Sequence, residues 1–347
     1  MKMKKLWIIA FLAFVLTLSG CGSLEKDQAS ENTESQKSVR IGISFDTFVV
    51  ERWQRDRDVF VSTAVELGAE VNVQNANGNV AEQVSQLSYF IEKKMDVIVV
   101  VPIESDALVE VIEKARNAGI KVIAYDRIVK NANIDLYVSF DNEDVGTLMG
   151  KAVTRKLAKG DSVLMICGSK TDNNVLFVES GFEKELRTKG IVVADKVYTD
   201  GWKAELAAEY VGNNMDKVRQ AKAIMCGNDD IAGQVIRVLS ENRMAGDVLV
   251  IGQDADLEAC QRIVAGTQYM TVFKPVEKLA KCTAEAAVAL AKGETVVAED
   301  SIDNGKVQVP YLKLEPLAVT KENMDAVIID SGFHLKDDVY INLPRGN

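Results

Sequence analysis

Short apolar runs rich in β-branched residues alternate along this chain with longer amphipathic runs. Apolar runs of four to eight residues are typical of buried strands, and amphipathic runs such as ALVEVIEKARNAG (107–119) are typical of helices. Strands that alternate with helices indicate parallel sheets covered on both faces, so the pattern predicts an α/β fold. The predicted strands are VRIGISF (39–45), EVNVQ (70–74), DVIVVV (96–101), KVIAYD (121–126), LYVSFD (136–141), SVLMIC (162–167), VVADKVY (192–198), AKAIMCG (221–227), DVLVIGQ (247–253) and YMTVF (269–273).

The number of predicted strands does not by itself fix the number of lobes. Ten strands fit either one wide sheet or two doubly wound parallel sheets. About 310 residues follow Ser38, and a single hydrophobic core stops growing near this size. The length therefore favours two doubly wound lobes.

The first 38 residues do not follow the strand and helix pattern. A basic start is followed by the apolar run LWIIAFLAFVL and then by LSGC, which ends at Cys21. This order is typical of a secretory signal peptide, and the LSGC ending resembles a lipoprotein signal; an ordinary signal peptide is the alternative. Residues 22–38 are polar and without periodicity, as in a flexible tether. We expect residues 1–21 to form a lipoprotein signal peptide with Cys21 as the lipidation site, so that cleavage leaves Cys21 to carry the acyl chains. The protein is then expected to be exported and anchored to the outer face of the cell membrane.

Polar residues follow nearly every predicted strand. In open α/β sheets, ligands lie beyond the carboxyl ends of the strands, so these residues are candidates for a binding site. In chain order they are Asp46, Arg52, Trp53, Glu104, Asp126, Arg127, Asp141, Asn142, Asp172–Asn174, Asp200–Trp202, Asn228–Asp230, Asp254–Asp256 and Lys274.

A second interpretation of these positions is helix capping. Asp and Asn are preferred N-caps, so Asn142 and Asn228 are equally well explained as caps of the helices that follow them. Capping does not explain Arg127 or Lys274, because a cation at a helix start opposes the helix dipole. It does not explain Trp202 either, which is a bulky ring in a turn.

The residue types at the strand exits suit a sugar. Carboxylates accept hydrogen bonds from hydroxyl groups, guanidinium, ammonium and amide groups donate to them, and an indole covers the C–H face of a pyranose. A phosphate site is instead typically rich in glycine, and the nearest P-loop lookalike, GTLMGK (146–151), has the wrong spacing.

Charge and cysteine spacing exclude other classes. The net charge of −10 argues against a nucleic-acid partner. No CxxC spacing occurs among Cys167, Cys226, Cys260 and Cys282, and no His/Asp/Glu cluster stands out, so we predict neither metal nor cofactor. The only histidine, His334, lies in a loop-like segment and is expected at the surface. No nucleophile–base pair emerges, so we predict a binding protein rather than an enzyme, with an exported sugar-active enzyme as the weakest alternative.

Several of these stretches together resemble the periplasmic sugar-binding proteins of the ribose-binding type, and among them the members that bind D-xylose. The resemblance runs from about Val39 to His334. It implies a type I fold, in which three crossovers join two lobes and hinge closure buries the sugar between them. The matching motifs are ERWQRDRD, QNANGN, AYDR, VSFDNE, DNN, DGW, GQDADL, AGTQYMTVFKP and SGFH.

The resemblance also implies lobe boundaries and sugar contacts. We place the crossovers near Phe140–Asn142, Phe273–Lys274 and Asn304–Gly305. This gives an N-lobe of residues 39–140 and 274–304, a C-lobe of 141–273 and 305–335, and a tail of 336–347. The two tryptophans are expected to sandwich the sugar ring. Of the DNN motif, Asn173 is the implied contact and Asn174 is the alternative. The implied contacts are Arg52, Trp53, Asp126, Arg127 and Lys274 from the N-lobe or hinge, and Asn173, Trp202, Asn228 and Asp254 from the C-lobe.

Two roles remain open for such a receptor. In the first role, the receptor is expected to deliver D-xylose, or another aldopentose, to the membrane permease of an ABC transporter. Alternatively, its closed form docks on the extracellular domain of a sensor histidine kinase. Both roles depend on lobe closure, so the site residues do not distinguish them.

Overall fold

The computed structural model describes residues 38–49 and 52–343. Within these residues the strands in chain order are β1 Val39–Phe45, β2 Ala69–Asn75, β3 Val97–Val100, β4 Lys121–Tyr125, β5 Leu136–Phe140, β6 Ser162–Cys167, β7 Val192–Tyr198, β8 Ala223–Cys226, β9 Leu249–Gln253, β10 Met270–Phe273, β11 Asp300–Asp303, β12 Gln308–Leu314 and β13 Leu317–Val319. The α-helices are α1 Arg52–Glu66, α2 Val80–Glu92, α3 Val109–Asn117, α4 Asn142–Thr154, α5 Asn173–Lys189, α6 Glu205–Asn213, α7 Met215–Gln220, α8 Asp229–Glu241, α9 Leu257–Ala265, α10 Val276–Ala291 and α11 Lys336–Val339.

The strands form two sheets. The first has the order β11-β12-β5-β4-β3-β1-β2, and the second has the order β13-β10-β9-β8-β6-β7. Neighbouring strands are parallel except at one edge of each sheet, where β11 pairs antiparallel with β12 and β13 pairs antiparallel with β10. The predicted fold of two doubly wound parallel sheets is therefore confirmed. We call the first sheet with its helices the N-lobe and the second sheet with its helices the C-lobe.

The central strands are buried because helices cover both of their faces. All four residues of β3 are fully buried, which explains the continuous apolar run that predicted this strand. Two glycines allow α4 and α5 to pack closely. A Cβ at Gly146 would lie 1.9 Å from the Val178 carbonyl oxygen, and one at Gly181 would lie 2.0 Å from the Glu143 carbonyl oxygen. This close contact fixes α5 in the C-lobe and with it the helix face that reaches the site.

The chain changes sheet three times, and one predicted boundary is wrong. It passes to the second sheet after β5 and returns after β10, near the predicted positions. The predicted third crossover at Asn304–Gly305 is misplaced, because β12 still belongs to the first sheet. There β12 lies parallel to β5, with Tyr311 opposite Tyr137. The change of sheet comes between β12 and β13, so residues 305–314 belong to the N-lobe.

The segment predicted as a tail is partly folded onto the protein. Within it α11 packs on α9, and its Val339 side chain is fully buried. Just before this helix, His334 is buried rather than exposed, with Nε2 2.8 Å from the carbonyl oxygen of Ala255. The surface position expected for His334 is therefore wrong, because its ring packs against Phe333 and satisfies a backbone group of the C-lobe.

The predicted signal peptide, Cys21 and most of the predicted tether lie outside the described residues. No helix in the described part of the chain is both long enough and apolar enough to cross a membrane.

Candidate functional site: a cavity between the lobes

The carboxyl ends of the strands in both sheets face one cavity. Its wall combines charged and amide side chains, two indole rings and apolar side chains. The lining residues are Arg52, Trp53, Asp126, Arg127, Asn142, Cys167, Gly168, Asp172, Asn174, Val175, Val178, Glu179, Trp202, Met225, Gly227, Asn228, Gln253, Asp254 and Lys274.

The structure brings eight of the nine predicted site residues into this wall, all except Asn173. That residue is buried but does not line the cavity, and its neighbour Asn174 does. The difference follows from the start of α5. The Asp172 side chain accepts a hydrogen bond from the Asn174 backbone N–H at 2.9 Å, and the Asn174 Nδ2 donates to the Asp126 carbonyl oxygen at 2.9 Å.

Arg52 is the centre of a buried ion-pair network. Its Nη2 lies 2.9 Å from Asp126 Oδ2 and 3.3 Å from Asp56 Oδ1, and its Nη1 lies 3.8 Å from Asp254 Oδ1 in the C-lobe. The Tyr125 hydroxyl also donates a hydrogen bond to the Asp56 carboxylate. Burial raises the pKa of Asp56 to about 6, although the Arg52 charge opposes this shift. The network holds the guanidinium in one orientation at the cavity wall.

The Asp126 carboxylate is kept ionised. Burial acts to raise its pKa, but the charges of Arg52, Lys274 and Arg127 outweigh burial and hold the pKa of Asp126 below its usual value. An ionised carboxylate is an acceptor only, so Asp126 suits a ligand that donates hydroxyl hydrogens.

Two more cations of the wall are held in buried ion pairs, and one of these pairs crosses between the lobes. Arg127 of the N-lobe contacts Asp46 of the same lobe at 2.6 Å and Asp172 of the C-lobe at 2.7 Å. Lys274, at the second crossover, lies 2.7 Å from Asp254. Each of these cations at a strand exit thus has a carboxylate partner. Lys274 precedes α10, where the helix dipole disfavours a cation, whereas Arg127 is followed by a loop and β5 rather than by a helix.

Each lobe contributes one indole ring. Trp53 is 2 % exposed, and the Arg52 guanidinium carbon lies 4.3 Å from its ring centroid. Trp202 closes a short 3₁₀ turn, and its ring covers Gly168, where a Cβ would lie 2.2 Å from the indole. Glycine is therefore required at 168 for the Trp202 ring to reach the cavity.

Backbone strain concentrates at this wall. Asp126, Trp202 and Asp254 have φ values of 62°, 60° and 99°, in the left-handed region that disfavours side chains. All three residues line the cavity. The fold holds these side chains in place at a conformational cost, as is common at functional sites.

Several lining residues were missed by the sequence analysis. Glu179 lies within α5 rather than at a strand exit, and Gln253 is the last residue of β9. In the sequence neither residue stands out from its helix or strand. The one signal for Glu179 is helical spacing, which places it on the same face of α5 as Asn174 and Val178.

Some polar atoms of the wall have no hydrogen-bond partner within the described chain. They include three donors and two acceptors, so a matching ligand both donates and accepts hydrogen bonds. Leaving such groups unpaired costs about 1–3 kcal/mol each, which a ligand would recover. The atoms are Arg52 Nε, Trp53 Nε1, Trp202 Nε1, Glu179 Oε1 and Gln253 Oε1.

Among residues 38–49 and 52–343, no group of three or more His, Cys, Asp or Glu side chains is arranged to hold a metal ion. The four cysteines in these ranges are free thiols. Burial raises the pKa of the Cys167 thiol, which lines the cavity, well above its usual value.

Two doubly wound lobes that enclose a polar cavity at the carboxyl ends of their strands define a binding protein of the periplasmic type. A family model described as "Periplasmic binding protein domain" matches residues 41–295, and the chain belongs to this family.

Among its relatives, the D-xylose-binding periplasmic protein of Haemophilus influenzae is 42% identical over 309 residues, 88% of this chain and 93% of that protein. The D-xylose-binding periplasmic protein of Escherichia coli is 42% identical over 312 residues, 87% of this chain and 93% of that protein. A solved carbohydrate transporter solute binding protein from Chloroflexus aurantiacus, in complex with D-glucose, superposes with a TM-score of 0.80 at 28% identity. That match covers 86% of this chain and 97% of the other.

Proposed function

We propose that this protein is an exported D-xylose-binding protein and the substrate-binding component of an ABC sugar transporter. The observation that carries the proposal is the cavity wall, in which buried carboxylates, guanidinium groups and indole rings from both lobes converge. The D-xylose-binding relatives, which align over most of this chain, support the choice of sugar.

The wall suits the chemistry of a pyranose. Asp126 and Asp254 accept hydrogen bonds from hydroxyl groups, while Arg52, Arg127 and Lys274 donate to hydroxyl oxygens. Bonds to ionised groups in a buried site are stronger than neutral ones, so the ring hydroxyls would be fixed in position.

Contacts across the cleft favour a closed state around the ligand. Besides Arg127–Asp172, the amide of Asn174 in the C-lobe donates to the carbonyl oxygen of Asp126 in the N-lobe. A sugar that touches both lobes would add to these contacts and shift the population toward the closed form.

The location and the partner are part of the same proposal. A lipidated Cys21 would hold the lobes near the membrane through the polar stretch that follows it. The partner would then be a permease, or in the alternative role the extracellular domain of a sensor histidine kinase. Capture from membranes with and without D-xylose distinguishes them: recovery of a permease supports transport, and recovery of a kinase alone supports sensing.

The direct test is titration calorimetry of the purified protein with D-xylose. A site with this many charged hydrogen bonds is expected to bind with micromolar affinity, about −8 kcal/mol. Absence of heat and of thermal stabilisation by D-xylose would overturn the proposed ligand.

A further inference from the structure

Glu179 is a buried carboxylate of the cavity wall that the proposed ring contacts leave unused. It lies on α5, on the same helix face as Asn174, Val175 and Val178. Glu179 follows Asn174 by five residues, which places it about 7.5 Å farther along the helix axis. Since α5 begins at the cleft, Glu179 is at the end of the cavity that reaches into the C-lobe.

The two oxygens of Glu179 are in different situations. Oε2 accepts hydrogen bonds from Lys196 Nζ at 2.9 Å and from the Tyr198 hydroxyl at 3.1 Å, both on β7. Oε1 is buried and accepts no hydrogen bond from a nitrogen or oxygen donor in the described chain; the neighbouring polar hydrogen is the thiol of Cys167, a weak donor. Lys196 and Tyr198 thus hold the carboxylate through Oε2, and Oε1 is left as a hydrogen-bond acceptor in a fixed position.

The surroundings of this acceptor are otherwise apolar. Cys167, Val178 and Met225 line the cavity and belong to one hydrophobic cluster of the C-lobe. The charged groups that suit ring hydroxyls, such as Arg52 and Asp126, lie instead at the strand exits of the N-lobe. The C-lobe wall therefore offers two unpaired acceptors, Gln253 Oε1 at the end of β9 and Glu179 Oε1, and that of Glu179 lies beside the apolar residues of this cluster.

We propose that Glu179 Oε1 accepts a hydrogen bond from the exocyclic hydroxymethyl group of an aldohexopyranose, so that the site takes hexoses as well as D-xylose. A pentopyranose carries hydroxyls only on ring carbons. A hexopyranose adds one CH₂OH group that projects from the ring. Its hydroxyl would donate to the Glu179 oxygen, which lies farther into the C-lobe than the charged groups that suit the ring hydroxyls. This inference rests on the proposed function of the site.

The experiment compares D-xylose, D-glucose and 6-deoxy-D-glucose by calorimetry on the wild-type protein and on Glu179→Met. Wild type is expected to bind all three sugars. The variant is expected to lose at least tenfold in D-glucose affinity and less than threefold in affinity for D-xylose and 6-deoxy-D-glucose, because only D-glucose donates the hydroxyl at that position.

Glu183→Gln is the matched control. Glu183 lies on the same helix and pairs with the same Lys196, but it does not line the cavity, so all three affinities should be unchanged. If Glu179→Met does not fold, Glu179→Gln replaces it, and a threefold or larger fall in the glucose-to-xylose affinity ratio is expected.

The outcomes separate this inference from the function on which it rests. Wild-type protein that binds D-xylose but not D-glucose would overturn the role of Glu179 and leave the proposed function intact. Equal losses for all sugars in the Glu179 variant would assign the residue a structural role. Failure to bind any of the sugars would contradict the proposed function itself.

Discussion

Arg52 connects three carboxylates from two lobes through one guanidinium group. Its planar fork contacts Asp56 and Asp126 through one nitrogen and approaches Asp254 through the other. A lysine ammonium is a point charge that cannot span these positions. The orientation of the cation, and not only its charge, thus determines the geometry of this part of the wall.

We therefore expect Arg52→Lys to lower D-xylose affinity at least tenfold, measured by calorimetry. Arg57→Lys is the control, because Arg57 is on the same helix but partly exposed. Among the described residues it pairs with its neighbour Asp58 and lies over the Phe48 ring. Surface pairs of this kind contribute little, so the control should bind like wild type. Equal affinity of the two variants would show that Arg52 has no specific role in binding.

Asp229 is a second buried carboxylate, next to the site but outside the cavity wall. It accepts hydrogen bonds from Thr271 and Gln268, each at 2.7 Å. Burial raises its pKa from 3.8 to about 7, against the opposing charge of Arg262. The folded protein therefore binds a proton here that the unfolded chain has already released at mildly acid pH.

This shift predicts a loss of stability as the pH rises. The raised pKa of Asp229 stabilises the fold fully below about pH 3.8, and this contribution is lost as the pH rises to about 7. Between pH 5 and pH 8 the free energy of unfolding should fall by about 2–3 kcal/mol through this group, at 1.36 kcal/mol per pKa unit. In urea unfolding, Asp229→Asn should remove this part of the fall, whereas substitution of the exposed Asp216 by Asn should not.

Residue identities were more predictable than residue orientations. Asp126, Arg127 and Lys274 were found because each follows a buried strand, and the carboxyl ends of parallel strands meet at one edge. The choice between Asn173 and Asn174 could not be made from the sequence, which does not show how the first turn of α5 is rotated; the structure places Asn174 at the cavity wall. Glu179 was missed because a lone acidic residue inside an amphipathic helix usually lies on the solvated face.

At the scale of elements, capping and cavity lining are compatible functions of one side chain. Asn228 caps α8 by accepting a hydrogen bond from the Ile231 N–H at 3.0 Å, and it also lines the cavity. The alternative interpretations of this residue from the sequence were therefore both correct in geometry. For α4 the cap is Asp141, which accepts from the Asp144 N–H at 3.0 Å, while Asn142 lines the cavity.

A pair of cap variants separates the two functions. Asn79 caps α2 through a 3.0 Å hydrogen bond from the Glu82 N–H, and neither Asn79 nor any residue of α2 is among the residues that line the cavity. Asn79→Ala should lower the free energy of unfolding by about 1 kcal/mol and leave D-xylose affinity unchanged. Asn228→Ala should show a similar loss of stability together with at least a tenfold loss of affinity. Unchanged affinity in the second variant would reduce Asn228 to a cap.

The strands that the sequence did not predict are the last three in the chain, β11, β12 and β13, which lie at or next to one edge of each sheet. Helices bury both faces of the central strands, which are therefore marked by continuous apolar runs. The edge strands β2 and β7 are only partly buried, but they carry enough valines to be recognised. In contrast, β11 is exposed along most of its length and β12 alternates between buried and exposed residues over part of its length. Short edge strands with polar residues carry a weak signal, and the error in the third crossover follows from this.

At the scale of the whole molecule, the lobes meet through a few polar contacts around the cavity. Arg127 lies between Asp46 of its own lobe and Asp172 of the other lobe. Of its two ion pairs, the one with Asp172 therefore depends on closure of the lobes. Opening the cleft would separate Arg127 from Asp172 and leave both groups to water. The ion pair thus links the position of the lobes to the state of the binding site.

Asp172→Asn tests this link. Asparagine preserves the cap of α5, since Asn and Asp cap equally well, but it removes the charge that faces Arg127. We expect D-xylose to dissociate several-fold faster in stopped-flow measurements, and the sugar-free protein to have a larger radius of gyration in X-ray scattering than wild type. An unchanged dissociation rate with an unchanged radius would show that this pair does not stabilise closure.

The late position of β11, β12 and β13 has a consequence for biosynthesis. Each sheet receives at least one of its strands from residues 300–319, so a growing chain cannot complete either lobe until that stretch has been made. Until then β5 and β10 keep an unpaired edge, and both lobes are held short of their final stability. Delayed completion of this kind would keep a newly made chain unfolded while it is threaded through a translocation pore, as the export proposed above requires.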